Sequence, residues 1–337
     1  MHIPDGFLDL RTSLAGGALA SAGVGYALHR ARADLAPGRV PLLGLSAAFV
    51  FAAQMINFPV LGGTSGHLMG GVLAGALLGP AAAVVVMTAV LIVQAFLFSD
   101  GGVLALGANL FNMAVLAPVA GSWLYRGLQR GIGGMRGLVA GAAFAGWFST
   151  VLAAASCAGQ LAMSGRVPWS TVFPAMVNVH MVIGLGEGAI TALVLLAIAR
   201  ARPELLAKAA SWEEARAGRI MVWGGLAALG LAVFVAPFAS PWPDGLERVA
   251  ENLGFADHAV SKPAVPSPFP DYQVPGISSA VRATAWAGAI GTILVFALSW
   301  LLARMLVSRP PSMDREGAGD AAGSAPAGRH HDLGRCD

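Results

Sequence analysis

Long apolar runs, separated by short stretches that hold nearly all the charge, pattern this chain from end to end. A hydrocarbon core of roughly 30 Å needs about 20 apolar residues as helix. Runs of that kind lie at 12–28, 40–58, 105–124, 138–162, 175–199, 220–239 and 281–303. The stretch 67–98 is too long for one crossing, and it contains Gly79-Pro80. That pair reads as a helix stop followed by proline at the first turn of a new helix, which predicts helices over 67–78 and 81–98.

Charge agrees with the split. Arg30, Arg32 and Arg39, then Arg126, Arg130 and Arg136, then Arg200, Arg202, Lys208, Arg216 and Arg219 form three basic segments. Positive loops stay on the cytoplasmic side, and all three fall there only if 67–98 crosses twice. The expected architecture is all-α and integral to the membrane: a seven-span bundle (1–200), a charged cytoplasmic linker (201–218), and a two-span unit (219–306) around an outward segment. A Pro-, Gly- and Ala-rich tail (307–337) reads as disordered and cytoplasmic. The N-terminus then faces outward, and loops 59–66, 99–104 and 163–174 carry Arg166 as their one basic residue. A multi-pass protein of the cell inner (plasma) membrane is the reading that follows.

Composition strengthens it. The chain is 56% hydrophobic and 12% charged, with net charge +3, and its mean hydropathy is +0.68. Soluble domains carry about 25% charged residues, so the bilayer must serve as solvent for most of this surface. No basic patch with interleaved aromatics is present, which sets nucleic acid aside. Cys157 and Cys336 give neither a disulfide framework nor a thiolate metal site. The start, MHIPDGFLDLRTS, lacks the basic region of a cleavable signal peptide, so Met1 is expected to remain the terminus. Gly71, Gly75 and Gly79, like Gly137 and Gly141, repeat every four residues, a spacing that lets helix backbones approach closely in lipid.

In so apolar a chain each polar residue inside a span is informative. His67, Asn109, Asn112, Asn178, His180 and Glu187 all fall in the outer or middle part of their spans and are expected to converge on one outward-facing pocket. His180 and Glu187 are seven apart and Asn109 and Asn112 three apart, so each pair shares a helix face. The terminus offers more specific chemistry. A free amine, the amide nitrogen of residue 2 and an imidazole on that residue are spaced for fused five- and six-membered chelate rings. A fourth nitrogen from another imidazole completes a planar N4 set, which suits Ni(II) or Cu(II). Plainer readings stand beside these: a frayed terminus, His67 at a helix start capped by Thr64 or Ser65, a hydrogen-bonded core His180, a helix-contact Glu187, and a solvated His330-His331 pair.

MHIPDGFL, GGTSGHL and NVHMVIGLGEGAIT resemble the substrate-capture component of energy-coupling-factor nickel/cobalt transporters, the NikM/CbiM type, over residues 1–200. PWPDGLERVAENLGF, residues 241–255, resembles the small two-span partner subunit of such systems, here fused in the same chain. The resemblance implies that Met1 (amine), His2 (amide and imidazole) and His67 (imidazole) bind the metal near the outer surface. Asn109, Asn112, His180 and Glu187 are then supporting candidates. It also implies a membrane coupling subunit and cytoplasmic ATPases as partners, since the chain has no phosphate-binding loop of its own. Ni(II) or Co(II) is cargo, no resident cofactor is expected, and nickel is favoured by the planar set. The rival readings are a proton-coupled metal carrier using Glu187, an intramembrane metalloenzyme (for which HExxH is absent), and a purely structural partner.

Overall fold

Asp9 starts the first helix by accepting the backbone N–H of Thr12 at 2.9 Å, an N-cap placed ahead of the first apolar run. In the computed structural model, which describes residues 1–206, 214–260 and 264–307, that helix is α1 (Leu10–Asp34). α2 (Val40–Gln54) follows, then a hairpin of β1 (Phe58–Val60) and β2 (Thr64–Gly66) with Phe58 opposite Gly66. Next come α3 (Gly71–Leu78) and α4 (Pro80–Val93), the latter running on through a π-helical turn, Gln94–Phe98. α5 (Leu106–Asn109) passes through a π turn, Leu110–Leu116, into α6 (Ala117–Ile132). Two long helices, α7 (Gly134–Met163) and α8 (Trp169–Ala201), complete the first half. The second half has α9 (Glu214–Gly230), the short α10 (Gly245–Leu253) and α11 (Ala280–Leu306).

Two π turns, Leu110–Leu116 and Leu231–Val235 (which continues α9), have a cause in sequence. Pro118 has no N–H to give the carbonyl of Ala114, and Pro237 none for that of Val233. The helix widens just upstream of each proline to absorb the missing bond. Gly79 sits at φ +92° between α3 and α4, so the split at Gly79-Pro80 is real.

Among the described residues, five helical segments are long and apolar enough to cross a membrane: Pro80–Phe98, Gly134–Met163, Trp169–Ala201, Gly218–Phe238 and Ala280–Leu306. These five fall short of the expected seven-plus-two count. In particular, the helix expected over 67–78 starts only at Gly71, and its eight residues span about 12 Å, well short of the bilayer core. Gly70, at φ +80°, stops the helix from extending backward. Thr64 and Ser65, expected as possible caps, lie instead in β2. Much of the expected linker (207–213) and the tail from Ser308, with Cys336 and His330-His331, lie outside the described residues.

Residues Met1–Val307 pack as one unit. α11 lies along α2 and α4, α9 along α2, and α10 on α8. The glycine rows are contact points: Gly71 lies against the Pro118 ring and Gly75 against the Ser122 hydroxyl, while Gly137 and Gly141 meet α6 at Gln129 and Tyr125. A Cβ at Gly75 would overlap Ser122. Gly75→Val should therefore lower stability by about 1–3 kcal/mol, read as a drop in thermal midpoint in detergent. An unchanged midpoint would show that α3 and α6 are not in close contact.

Candidate metal centre

The N-terminal segment is folded into the bundle residue by residue. Ile3 is fully buried; its N–H donates to Asn109 Oδ1 at 2.8 Å, and its carbonyl accepts from Asn109 Nδ2 at 3.0 Å and from the Gly102 N–H at 2.9 Å. Asp5 accepts the backbone N–H groups of Leu104 and Ala105 at 2.8 and 3.3 Å. Gly6, at φ +95°, lies so close to the carbonyl of His258 that a Cβ would not fit. Phe7 meets Phe255 edge-on, ring centres 5.2 Å apart. Apolar anchors with a turn between them hold Met1 in place, and Met1 is 6% exposed.

Three donor-bearing residues meet there. The Met1 amine lies 3.4 Å from His67 Nε2, across 66 positions of chain. The His2 and His67 imidazoles stack with centres 5.5 Å apart and planes 22° from parallel. His67 reaches this point because the β1–β2 hairpin presents it rather than a helix. Among the described residues no three His, Cys, Asp or Glu side chains gather to hold a metal, but the nitrogens here include main-chain atoms.

Around these donors stands a polar ring that sequence reasoning missed. The Met1 ammonium is ion-paired to Asp244 Oδ2. Asp244 is the N-cap of α10, its Oδ1 accepting the N–H groups of Leu246 and Glu247 at 2.8 and 2.9 Å. Glu247 completes the reciprocal capping box by accepting the Asp244 N–H at 2.9 Å. His2 Nδ1 lies 3.0 Å from Asp100 Oδ1 and His2 Nε2 3.2 Å from Gln94 Oε1. Tyr272 donates to Asp100 Oδ2 at 2.5 Å and accepts from Gln94 Nε2 at 3.1 Å. Gln94 also donates to Gln54, and Gln54 to the Met69 carbonyl, at 2.8 and 2.7 Å. Asp244 and Tyr272 come from the second half of the chain. The hairpin binds that half directly: Ser65 N–H and Thr64 Oγ1 donate to the Pro243 carbonyl at 2.8 and 3.0 Å, and Ser65 Oγ donates to the Trp242 carbonyl at 2.7 Å.

Burial and pairing set the charges. Burial alone would lower the pKa of the Met1 amine, but the Asp244 carboxylate outweighs it and raises the amine above its ordinary value. For His67, burial, then the neighbouring ammonium and the His2 ring, push the imidazole down to about 3. Asp244 is buried, which opposes ionisation, yet the ammonium holds it well below the usual carboxylate range. Asp100 is held low in the same way against its burial by His2 and Tyr272.

The other expected residues divide. Asn109 holds Ile3 as described. Asn112 does not reach the terminus; it pairs with Gln160 at 2.8 and 3.0 Å and with Ser156 at 2.7 Å on α7. Asn178 is exposed on α8, which removes it from the expected pocket. His180 and Glu187 are both buried and line one small cavity with Met1, His67 and Asp244. Glu187 Oε1 accepts the Met69 N–H at 2.5 Å.

Sequence and geometry together describe a membrane-embedded helical protein with a buried nitrogen-rich centre built on its own terminus. The chain belongs to the CbiM family: the model described as cobalt uptake substrate-specific transmembrane region matches residues 2–205. A PDGLE domain model matches residues 218–308. A protein of Archaeoglobus fulgidus named as a fused nickel transport protein, NikMN, is 36% identical, covering 90% of this chain and 98% of that one. The fused nickel transport protein NikMN of Rhodobacter capsulatus is 36% identical over 68% of this chain and 70% of its own length. The cobalt transport protein CbiM of Geobacter sulfurreducens is 34% identical over 62% of each. A crystal structure of a truncated transition metal transporter, 33% identical, matches with a TM-score of 0.54 over 59% of this chain and 99% of its own.

Proposed function

We propose that this chain is the metal-capturing membrane component of an energy-coupling-factor importer for Ni(II) or Co(II), nickel being the better fit to a planar four-nitrogen set. The observation that carries the reading is the meeting of the Met1 amine, His2 and His67 in one buried place. The ligands are the Met1 amine, the His2 amide and Nδ1, and His67 Nε2. Each carboxylate now beside a donor nitrogen, Asp244 on the amine and Asp100 on His2, offers counter-charge to an incoming dication. To bind, the amine gives up its proton and its hold on Asp244, and the His2 ring turns from Asp100. His67, with its pKa near 3, is neutral and ready to ligate at any physiological pH.

The finer topology belongs to the same reading: a seven-plus-two arrangement in the plasma membrane, terminus outside and C-terminus cytoplasmic, with the centre open to the outer side. Energy comes from partners, a membrane coupling subunit and cytosolic ATPases. The rival proton-coupled carrier asks Glu187 to shuttle protons, whereas Glu187 Oε1 is engaged with the Met69 amide. Radiolabelled nickel uptake by cells expressing the chain with its coupling partners tests this. Uptake should stop when the ATPase is inactivated. Uptake that persists and follows the pH gradient would overturn the reading.

A further inference from the structure

His180 has a feature that its core position does not explain. Its Nδ1 lies 2.8 Å from the carbonyl oxygen of Met176. A carbonyl only accepts, so Nδ1 carries the proton and Nε2 the lone pair. That Nε2 is buried and has no hydrogen-bond partner among the described residues. An acceptor left bare in the interior is costly, and such groups call for a reason. An imidazole whose other nitrogen donates to a backbone carbonyl is fixed in the tautomer that metal-binding histidines use.

The surroundings suit a cation in passage. His180 lines a cavity of about 20 Å³, room for about one water-sized sphere. Met1, His67, Met69, Met113 and Glu187 line it as well. An imidazole nitrogen is a donor for ions such as Ni(II), not for magnesium or calcium. Gly245 presses on the ring: a Cβ there would lie 2.7 Å from His180 Cε1 and 2.8 Å from Nε2. The glycine after Asp244 thus leaves no side chain in the way of the bare nitrogen.

We propose that His180 Nε2 is a transit ligand, taking the metal from the Met1–His2–His67 centre as it moves into the bundle. The proposal rests on the capture reading above. A single imidazole with weak neighbours makes a loose site, which is what passage requires: binding firm enough to accept the ion and weak enough to release it.

The test uses the full chain, purified for equilibrium nickel binding and assembled with its partners for uptake. His180→Gln should bind nickel within about threefold of wild type, while uptake falls at least about tenfold. In a His67→Ala background, titration with Co(II) should leave a weak visible absorption band that adding His180→Gln removes. That band reports ligation, which a merely structural role of His180 would not produce. Unchanged uptake in His180→Gln overturns the proposal, as does a band that does not depend on His180. Binding that falls in parallel with uptake also overturns it, by placing His180 in the capture set or in the fold. A wild-type chain that binds no metal overturns the capture reading and this proposal with it; a wild type that binds while His180→Gln changes nothing overturns this proposal alone.

Discussion

Replacing His67 with alanine weakens nickel binding by at least about 100-fold. Loss of a group that merely orients a ligand costs about 10–100-fold in affinity, so loss of a ligand lies at or beyond the upper end. The substitution should leave the bundle intact. His67 sits in an irregular segment after β2, and its own contacts are the 3.4 Å approaches to the Met1 amine and to the Leu68 carbonyl and the stacking of its ring on that of His2. The hairpin is held by main-chain pairing and by the bonds of Thr64 and Ser65 to the second half. Isothermal titration with nickel, beside a thermal melt of the apo-protein, separates loss of the ligand from loss of fold. Wild-type affinity in His67→Ala would remove the fourth nitrogen from the account.

The second large effect is that of pH. The Met1 amine has its pKa raised above the ordinary value because Asp244 outweighs burial. Below that pKa the metal must displace the amine proton as well as the amide proton of His2. Two protons released per ion make log K rise by about two per pH unit, from about pH 6 up to the amine pKa. Above it only the amide proton remains and the slope falls to about one. His67 contributes nothing to this slope, because with a pKa near 3 it is already neutral. Stability has the opposite sign: the Met1–Asp244 pair stabilises the apo-fold while the amine is charged, and this contribution is lost as pH rises through the raised pKa. Nickel titrations between pH 6 and 9 measure the slope. A flat profile would show that neither main-chain nitrogen ligates.

Much of the architecture was legible because a bilayer imposes long apolar runs. Each run holds a helix, and Gly79-Pro80 divides the longest of them. What could not be read is local or distant. The segment 64–70 forms a strand and an irregular link because Gly70 adopts a left-handed conformation and the second half offers carbonyls to Thr64 and Ser65. Asn109 and Asn112 share a face in a regular α-helix, but the helix turns π-helical at Leu110. The change of pitch directs Asn109 to Ile3 and Asn112 to α7. Gln54 and Gln94 carried a signal, since polar residues within apolar spans demand partners. Asp244 carried none: it reaches Met1 across 243 positions, and only the folded second half brings it there. The proposed chelate was legible because the chemistry it needs is written in two adjacent residues, Met1 and His2.

The most direct test of the central claim is the nickel content of purified protein with His2 replaced by alanine. The substitution keeps the free amine, the peptide nitrogens and His67, but it removes the imidazole that closes the six-membered chelate ring and with it one of the four nitrogens. About one nickel per wild-type chain after desalting is expected, and essentially none for His2→Ala. A His2→Ala variant that holds as much nickel as wild type would contradict the claim, and would show that the metal is bound elsewhere.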